Sequence, residues 1–197
     1  MSPRGEVLEL AILGQLQHAP MHGYELRKRL NATLGTIRTL SYGSLYPCLK
    51  ALVGGGWIEE AETGALPHAL AGRRARIVYR LTTPGKQRLA DSLAQVDPAA
   101  WEDESFTVRF SLFTETDSQT RLQVLEGRRA RMLQRKAAMR QQVQASRERR
   151  DHYTQELQRH GLDLIDREIG WLEDLIVAER TEEPTEEPTE NIPEENS

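Results

Sequence analysis

The apolar positions of this chain recur at helical intervals, and the breaks between them carry glycine or proline. In residues 6–17, Val7, Leu8, Ala11, Ile12 and Leu16 share one helical stripe that ends at Ala19-Pro20. Residues 21–35 repeat the pattern with Tyr24, Leu26, Leu30 and Leu34, and Gly35 is the expected stop. The stretch SYGSLYPCLKAL, residues 41–52, predicts a third helix with Leu45, Leu49 and Leu52 on one face, closed by Gly54-Gly55-Gly56. Two short runs rich in β-branched and aromatic residues, 57–62 and 76–82, predict a β-hairpin joined by a long loop. Thr83 is then expected to cap a fourth helix, with Pro84 in its first position.

Beyond this unit the pattern thins. Residues 97–104, DPAAWEDE, read as a linker in which Trp101 finds no obvious place. Phe106, Phe110 and Phe113 fall on one side of a helix, although the alternation of 105–116 also fits a strand. From Asp117-Ser118 to about His160 the spacing predicts one long helix, interrupted only by Gly127 and ended by Gly161. A last helix follows, with Leu162, Ile165, Ile169, Leu172 and Ile176 in 3–4 spacing. Two helices with one narrow stripe each make a poor core alone, so a second copy of the chain is expected to supply the missing face. On that reading Leu122, Leu125, Met132, Ile165, Ile169, Trp171, Leu172, Leu175 and Ile176 are the dimerisation residues, Trp171 being the one that could instead stack on a ligand. Residues 181–197 repeat Thr-Glu-Glu-Pro twice, hold one apolar residue and are expected to be unstructured.

Composition changes the picture mainly through its distribution. The net charge is −4, but residues 1–96 carry +5, residues 97–180 carry −2 and the tail carries −7. A basic first half with an acidic remainder suits a nucleic-acid-binding domain joined to one that binds something else. A single cysteine, no signal-peptide pattern and no apolar run near the roughly 20 residues of a membrane span predict a cytoplasmic protein. Neither metal-ligand spacing nor a nucleophile, phosphate-loop or paired-carboxylate pattern occurs, so no enzyme, metal or cofactor is expected.

The third helix carries more chemistry than its stripe requires. With Ser41 as N-cap, Tyr42, Tyr46 and Lys50 fall at i, i+4 and i+8, away from the leucines, with Ser44 beside them. Hydroxyls and an ammonium at a helix N-terminus suit phosphate and base contacts; packing of both tyrosines against neighbouring helices is the alternative. Arg73, Arg74 and Arg76 lie in the hairpin loop with no acid between Glu62 and Asp91. That cluster suits a duplex backbone or narrow groove. A hairpin serving as a protein-interaction module is the rival reading, and such a module would not need three arginines. Two-fold symmetry would give an operator that is an inverted repeat.

The segments LELAILGQL, PMHGYELRKRL, SYGSLYPCLKAL, GWIE and GRRARIVYRLTTPGKQRL, in this order, resemble the N-terminal domain of PadR-family transcriptional regulators over about residues 6–95. EIGWLEDL resembles the last helix of that family's two-domain members. The resemblance implies a homodimeric repressor that binds double-stranded DNA and responds to a phenolic or drug-like effector, and it adds Tyr24 as a phosphate contact or structural hydrogen bond. The expected architecture is mainly α with a small β-hairpin. A winged helix-turn-helix occupies 1–96, a linker 97–104, a helical dimerisation and effector domain 105–180, and an acidic tail 181–197.

Overall fold

The computed structural model describes residues 3–34, 42–62, 77–145 and 151–182. Helix α1 (Pro3–His18) is the element on which the N-terminal unit is built. Its sequence suggests a single stripe, but Leu8, Leu10, Ala11, Ile12, Leu13 and Leu16 are all buried, because α2 (Gly23–Leu34), α3 (Tyr42–Gly54), α4 (Thr83–Ala94) and α5 (Asp103–Phe110) pack around it.

The hairpin forms as β2 (Ile58–Glu62) and β3 (Ile77–Leu81), antiparallel, with Ile58 opposite Leu81 and Glu62 opposite Ile77. It is not alone. Met21–His22 form a two-residue strand, β1, on the other edge of β3, so the sheet has three strands in the order β1-β3-β2. Two residues are too few to show a period, and the sequence reads them as the start of α2.

The junction between hairpin and helices is tightly specified. Helix α3 ends where Gly56 adopts φ +71, with the Trp57 N–H donating to the Leu52 carbonyl and the Gly56 N–H to that of Val53. Thr82, one residue earlier than expected, caps α4: its Oγ1 accepts from the Gly85 N–H at 3.1 Å and donates to the Gly56 carbonyl at 2.7 Å, with the Trp57 carbonyl also within reach at 3.0 Å. Pro84 accordingly takes the second helical position. Gly85 is required there, because a Cβ would overlap the Trp57 carbonyl oxygen.

Residues 97–104 are ordered rather than a plain linker. Asp97 caps a 3₁₀ turn (Pro98–Trp101), and α5 begins at Asp103. The alternation in 105–116 resolves as helix, followed by a second 3₁₀ turn at Phe113–Glu115. Trp101 packs against α6 (Ser118–Ala145), where a Cβ on Gly127 would overlap the indole; the glycine that looked like an interruption makes room for the tryptophan. Val108 and Leu112 join the N-terminal core, with Leu112 seated over Gly14, while Phe106 joins the C-terminal one.

The long helical stretch divides differently from the expectation. Helix α6 ends at Ala145 and α7 runs from His152 to Glu182, straight through Gly161 and two residues into the stretch read as tail. Asp151 caps α7 by accepting from the Thr154 N–H at 3.0 Å. The two helices, 28 and 31 residues long, lie antiparallel and bury their stripes in each other. Leu125, Met132, Ile165, Ile169, Leu172 and Ile176 are each less than a tenth exposed within one chain, with Leu122 and Leu175 packed beside them. The premise that these residues lack a partner in the chain is therefore overturned. Trp171 is 41% exposed and packs on Phe106 and Phe110.

Ion pairs flank this seam. Arg129 meets Glu173 at 2.6 Å, and Arg121 engages Glu179 while donating to the Thr116 carbonyl at 2.7 Å. The Arg121 hydrogen bond holds the Glu179 carboxyl below its ordinary range. A depressed folded value stabilises the pair above the unfolded carboxylate pKa, and this contribution is lost as pH falls through the folded value. Arg121→Met should thus cost about 2 kcal/mol at neutral pH. Urea titrations should show the gap between variant and parent narrowing below about pH 4.5. A pH-independent gap would remove Glu179 from the account.

Candidate nucleic-acid interface

On α3 the side away from Leu45, Leu49 and Leu52 is formed by Pro47, Lys50, Ala51 and Gly54, all exposed. Pro47 sits within the helix on this outer side. Lys50 stands where the helical spacing put it. Tyr46 lies on the shoulder: it is half-buried and packs against the N-terminal core, and a Cβ on Gly23 would come within 3.3 Å of its hydroxyl. Packing is thus part of the work of Tyr46. Ser44 is also half-buried. The side chain of Tyr42, the capping position Ser41, and Arg73, Arg74 and Arg76 lie outside the described residues.

Tyr24, expected from its register to be half-buried, is 65% exposed. Lys28 follows one turn later on the same face of α2 and is also exposed. Sequence reading missed this lysine, although the i, i+4 spacing from Tyr24 was visible. Arg29 on α2 is paired with Glu25 at 3.0 Å, and Arg80 on β3 with Glu59 at 2.7 Å, so neither cation is as available to phosphate as its charge suggests. Cys48 faces inward from α3; burial, and secondarily the charge of Glu9, push its thiol up to about 11 and keep it protonated.

Three buried charged side chains were not anticipated. Glu9 sits in the fully packed part of α1 and accepts from Arg88 on α4. Arg109 on α5 donates to the carbonyls of Ser92, Leu93 and Gln95, closing the C-terminal end of α4; burial pushes its guanidinium pKa down. Arg128 on α6 joins the Trp101 carbonyl, Asp103 and Glu168, with its guanidinium over the Phe106 ring at 5.1 Å. The one sequence signal was Glu9, an acid inside the apolar run VLELAIL. Arg109 and Arg128 carried none, because an arginine in a helix is ordinarily solvated. Among the described residues no cluster of His, Cys, Asp or Glu could hold a metal ion, and no helix is long and apolar enough to cross a membrane.

Helix, helix, helix, hairpin, helix, with an outward lysine on the third helix, defines a winged helix-turn-helix of the kind found in transcriptional regulators. The transcriptional regulator PadR-like family matches residues 12–91, the part built from these elements, and that part of the chain is similar to the family. A negative transcriptional regulator, PadR of Bacillus subtilis, is 32% identical over 93 residues, which cover 47% of this chain and 48% of that relative. The chain thus matches about half the length of that protein. A crystal structure of Bacillus subtilis PadR in complex with operator DNA covers 88% of this chain and 99% of its own, at 22% identity and a TM-score of 0.42. The same protein in complex with p-coumaric acid gives 20% identity over 88% and 99%, with a TM-score of 0.40.

Proposed function

We propose that this chain is a homodimeric, cytoplasmic repressor that binds an inverted-repeat operator and is released by a small-molecule effector. The observation that carries the reading is the exposed face of α3 around Lys50, set in a winged helix similar to that of a transcriptional-regulator family. In this reading Lys50 and Ser44 meet the duplex through α3 and Tyr24 and Lys28 through α2. Tyr42 and Tyr46 contribute hydroxyls at the α3 N-terminus, and Arg73, Arg74 and Arg76 neutralise phosphates from the hairpin loop. Repression is taken from the Bacillus subtilis relative, a negative regulator.

The dimer requires a revised surface. Because the expected interface residues fill the chain's own core, the second copy is placed on the outer side of α7. Leu157, Leu164 and Trp171 recur there at seven-residue spacing and are 71%, 49% and 41% exposed. Tyr153, 82% exposed, extends this side toward the helix start.

The DNA-binding part of the reading is tested by the salt dependence of affinity for random-sequence duplex. Arg73→Ala with Arg74→Ala should reduce the log–log slope by about 0.9 for each lost phosphate contact, and weaken binding to every duplex alike. An unchanged slope would take the loop out of the interface.

A further inference from the structure

The segment that joins the winged helix to the C-terminal helices is clamped from both sides. Helix α5 belongs to the winged-helix body: Val108 and Leu112 fill its core, and Arg109 closes the end of α4. The turn Pro98–Trp101 and the start of α5 are held by α6, on which Arg128, Arg131 and Arg135 fall at i, i+3 and i+7 along one side. Arg131 meets Glu102 at 2.5 Å and Arg135 meets Asp103 at 3.9 Å, but these four side chains are about half exposed, and such pairs hold little. Arg128 differs. Its side chain is 6% exposed, and it donates to the Trp101 carbonyl at 2.8 Å, to Asp103 at 2.7 Å and, through Nε, to Glu168 on α7 at 2.7 Å. One residue earlier, Gly127 leaves the space that the Trp101 indole occupies. A single buried guanidinium thus ties the joining turn, α5, α6 and α7 together, in surroundings where charge-assisted hydrogen bonds are strong.

We propose that Arg128 is a positioning residue for operator recognition: it fixes the angle between each winged helix and its α6–α7 pair, and with it the half-site spacing that the dimer accepts. The proposal rests on the dimeric repressor described above. Each base pair inserted between half-sites moves the second by about 3.4 Å and turns it by about 35° around the duplex. A dimer with stiff junctions cannot follow that step, so it discriminates between spacings. One with loosened junctions follows it, and loses preorganisation for the best spacing in exchange. Buried in the junction, Arg128 exerts this control without touching DNA.

The test uses the inverted repeat that the full chain selects from random duplexes, and versions of it with one or two base pairs added at the centre. The parent should lose at least about thirtyfold in affinity for one added base pair, because its two heads no longer engage together. In Arg128→Met that penalty should shrink to about threefold or less, and affinity for the selected repeat should fall about tenfold. Affinity for a single half-site should stay at the parent value, and light scattering should still report two chains. Asp103 and Glu168 are 55% and 31% exposed, so water hydrates them once the arginine is gone and the fold survives. Trp101→Ala, which removes the other half of the contact, should relax the spacing in the same way, and decides the matter if Arg128→Met does not fold. Arg129→Gln, next in the chain and paired with Glu173 across the seam, should keep the parent profile. A parent indifferent to the added base pair, a folded dimeric variant that keeps the parent's penalty, or an equal relaxation in Arg129→Gln would overturn the role of Arg128. Failure of the parent to select any inverted repeat would instead refute the repressor reading on which it rests.

Discussion

Leu172→Glu combined with Ile176→Glu should unfold the α6–α7 pair rather than release a folded monomer. Leu172 is fully buried and Ile176 is 6% exposed, both within one chain. A carboxylate placed there enters an apolar cluster that includes Leu125, Met132 and Ile169. The loss is that of the apolar side chain and of the desolvated charge together, at least about 4 kcal/mol for the pair. That is a large share of the roughly 5–15 kcal/mol that keeps a typical domain folded. Circular dichroism should show helix content falling by the share of these two helices, and limited proteolysis should cut within them. A variant that melts like the parent would show that the seam between α6 and α7 does not hold the C-terminal unit together.

The opposite outcome is expected on the outer face of α7. Leu157→Glu with Leu164→Glu replaces side chains that are 71% and 49% exposed, so the fold should lose no more than about 0.5 kcal/mol per site. What should change is the assembly. The two leucines lie about 10 Å apart along the helix and in line with Trp171, a spacing that suits a second helix of the same kind. Light scattering should report one chain where the parent gives two. Because a dimer engages two half-sites at once, affinity for a two-half-site duplex should fall by about a hundredfold or more, while affinity for a single half-site changes little. A variant that remains dimeric would move the interface elsewhere, with Leu133 on α6 and Val177 on α7, 39% and 63% exposed, the next candidates.

The contrast between these two variants follows from what a stripe of apolar residues does and does not say. Sequence spacing identified Leu125, Met132, Ile165, Ile169, Leu172 and Ile176 as residues that must be covered. It could not say by what. Read as one narrow stripe each, with the break at Gly161, the two helices made a poor core by themselves, which called for a second copy. The second helix instead begins at His152, capped by Asp151, and the two helices, of nearly equal length, cover each other. A glycine inside a helix costs only about 1 kcal/mol, and the apolar period continues past Gly161 with Leu162 and Ile165. The Asp-x-x-Thr start at Asp151 was the better sign.

In the N-terminal unit more was legible, because its elements are short and each is closed by a local signal. The three glycines that close α3, the two hairpin runs and the Thr-Pro-Gly start of α4 all mark real boundaries, to within one residue at the cap. Strand β1 was hidden by its length, and the near-complete burial of α1 by the mixture of Glu9, Gly14 and Gln15 among its leucines. On α3, the spacing put Lys50 on the outer face and grouped Tyr46 with it. Helical phase does not reveal that the space over Gly23 is there for the tyrosine ring to fill.

The most direct test of the account is selection from random duplexes with the full chain at moderate salt, followed by sequencing of the retained DNA and light scattering of the complex. A winged-helix dimer predicts an enriched inverted repeat, with half-sites one or more helical turns apart and two chains per duplex. Retained sequences with no common element, or a lone half-site carrying a single chain, would contradict it.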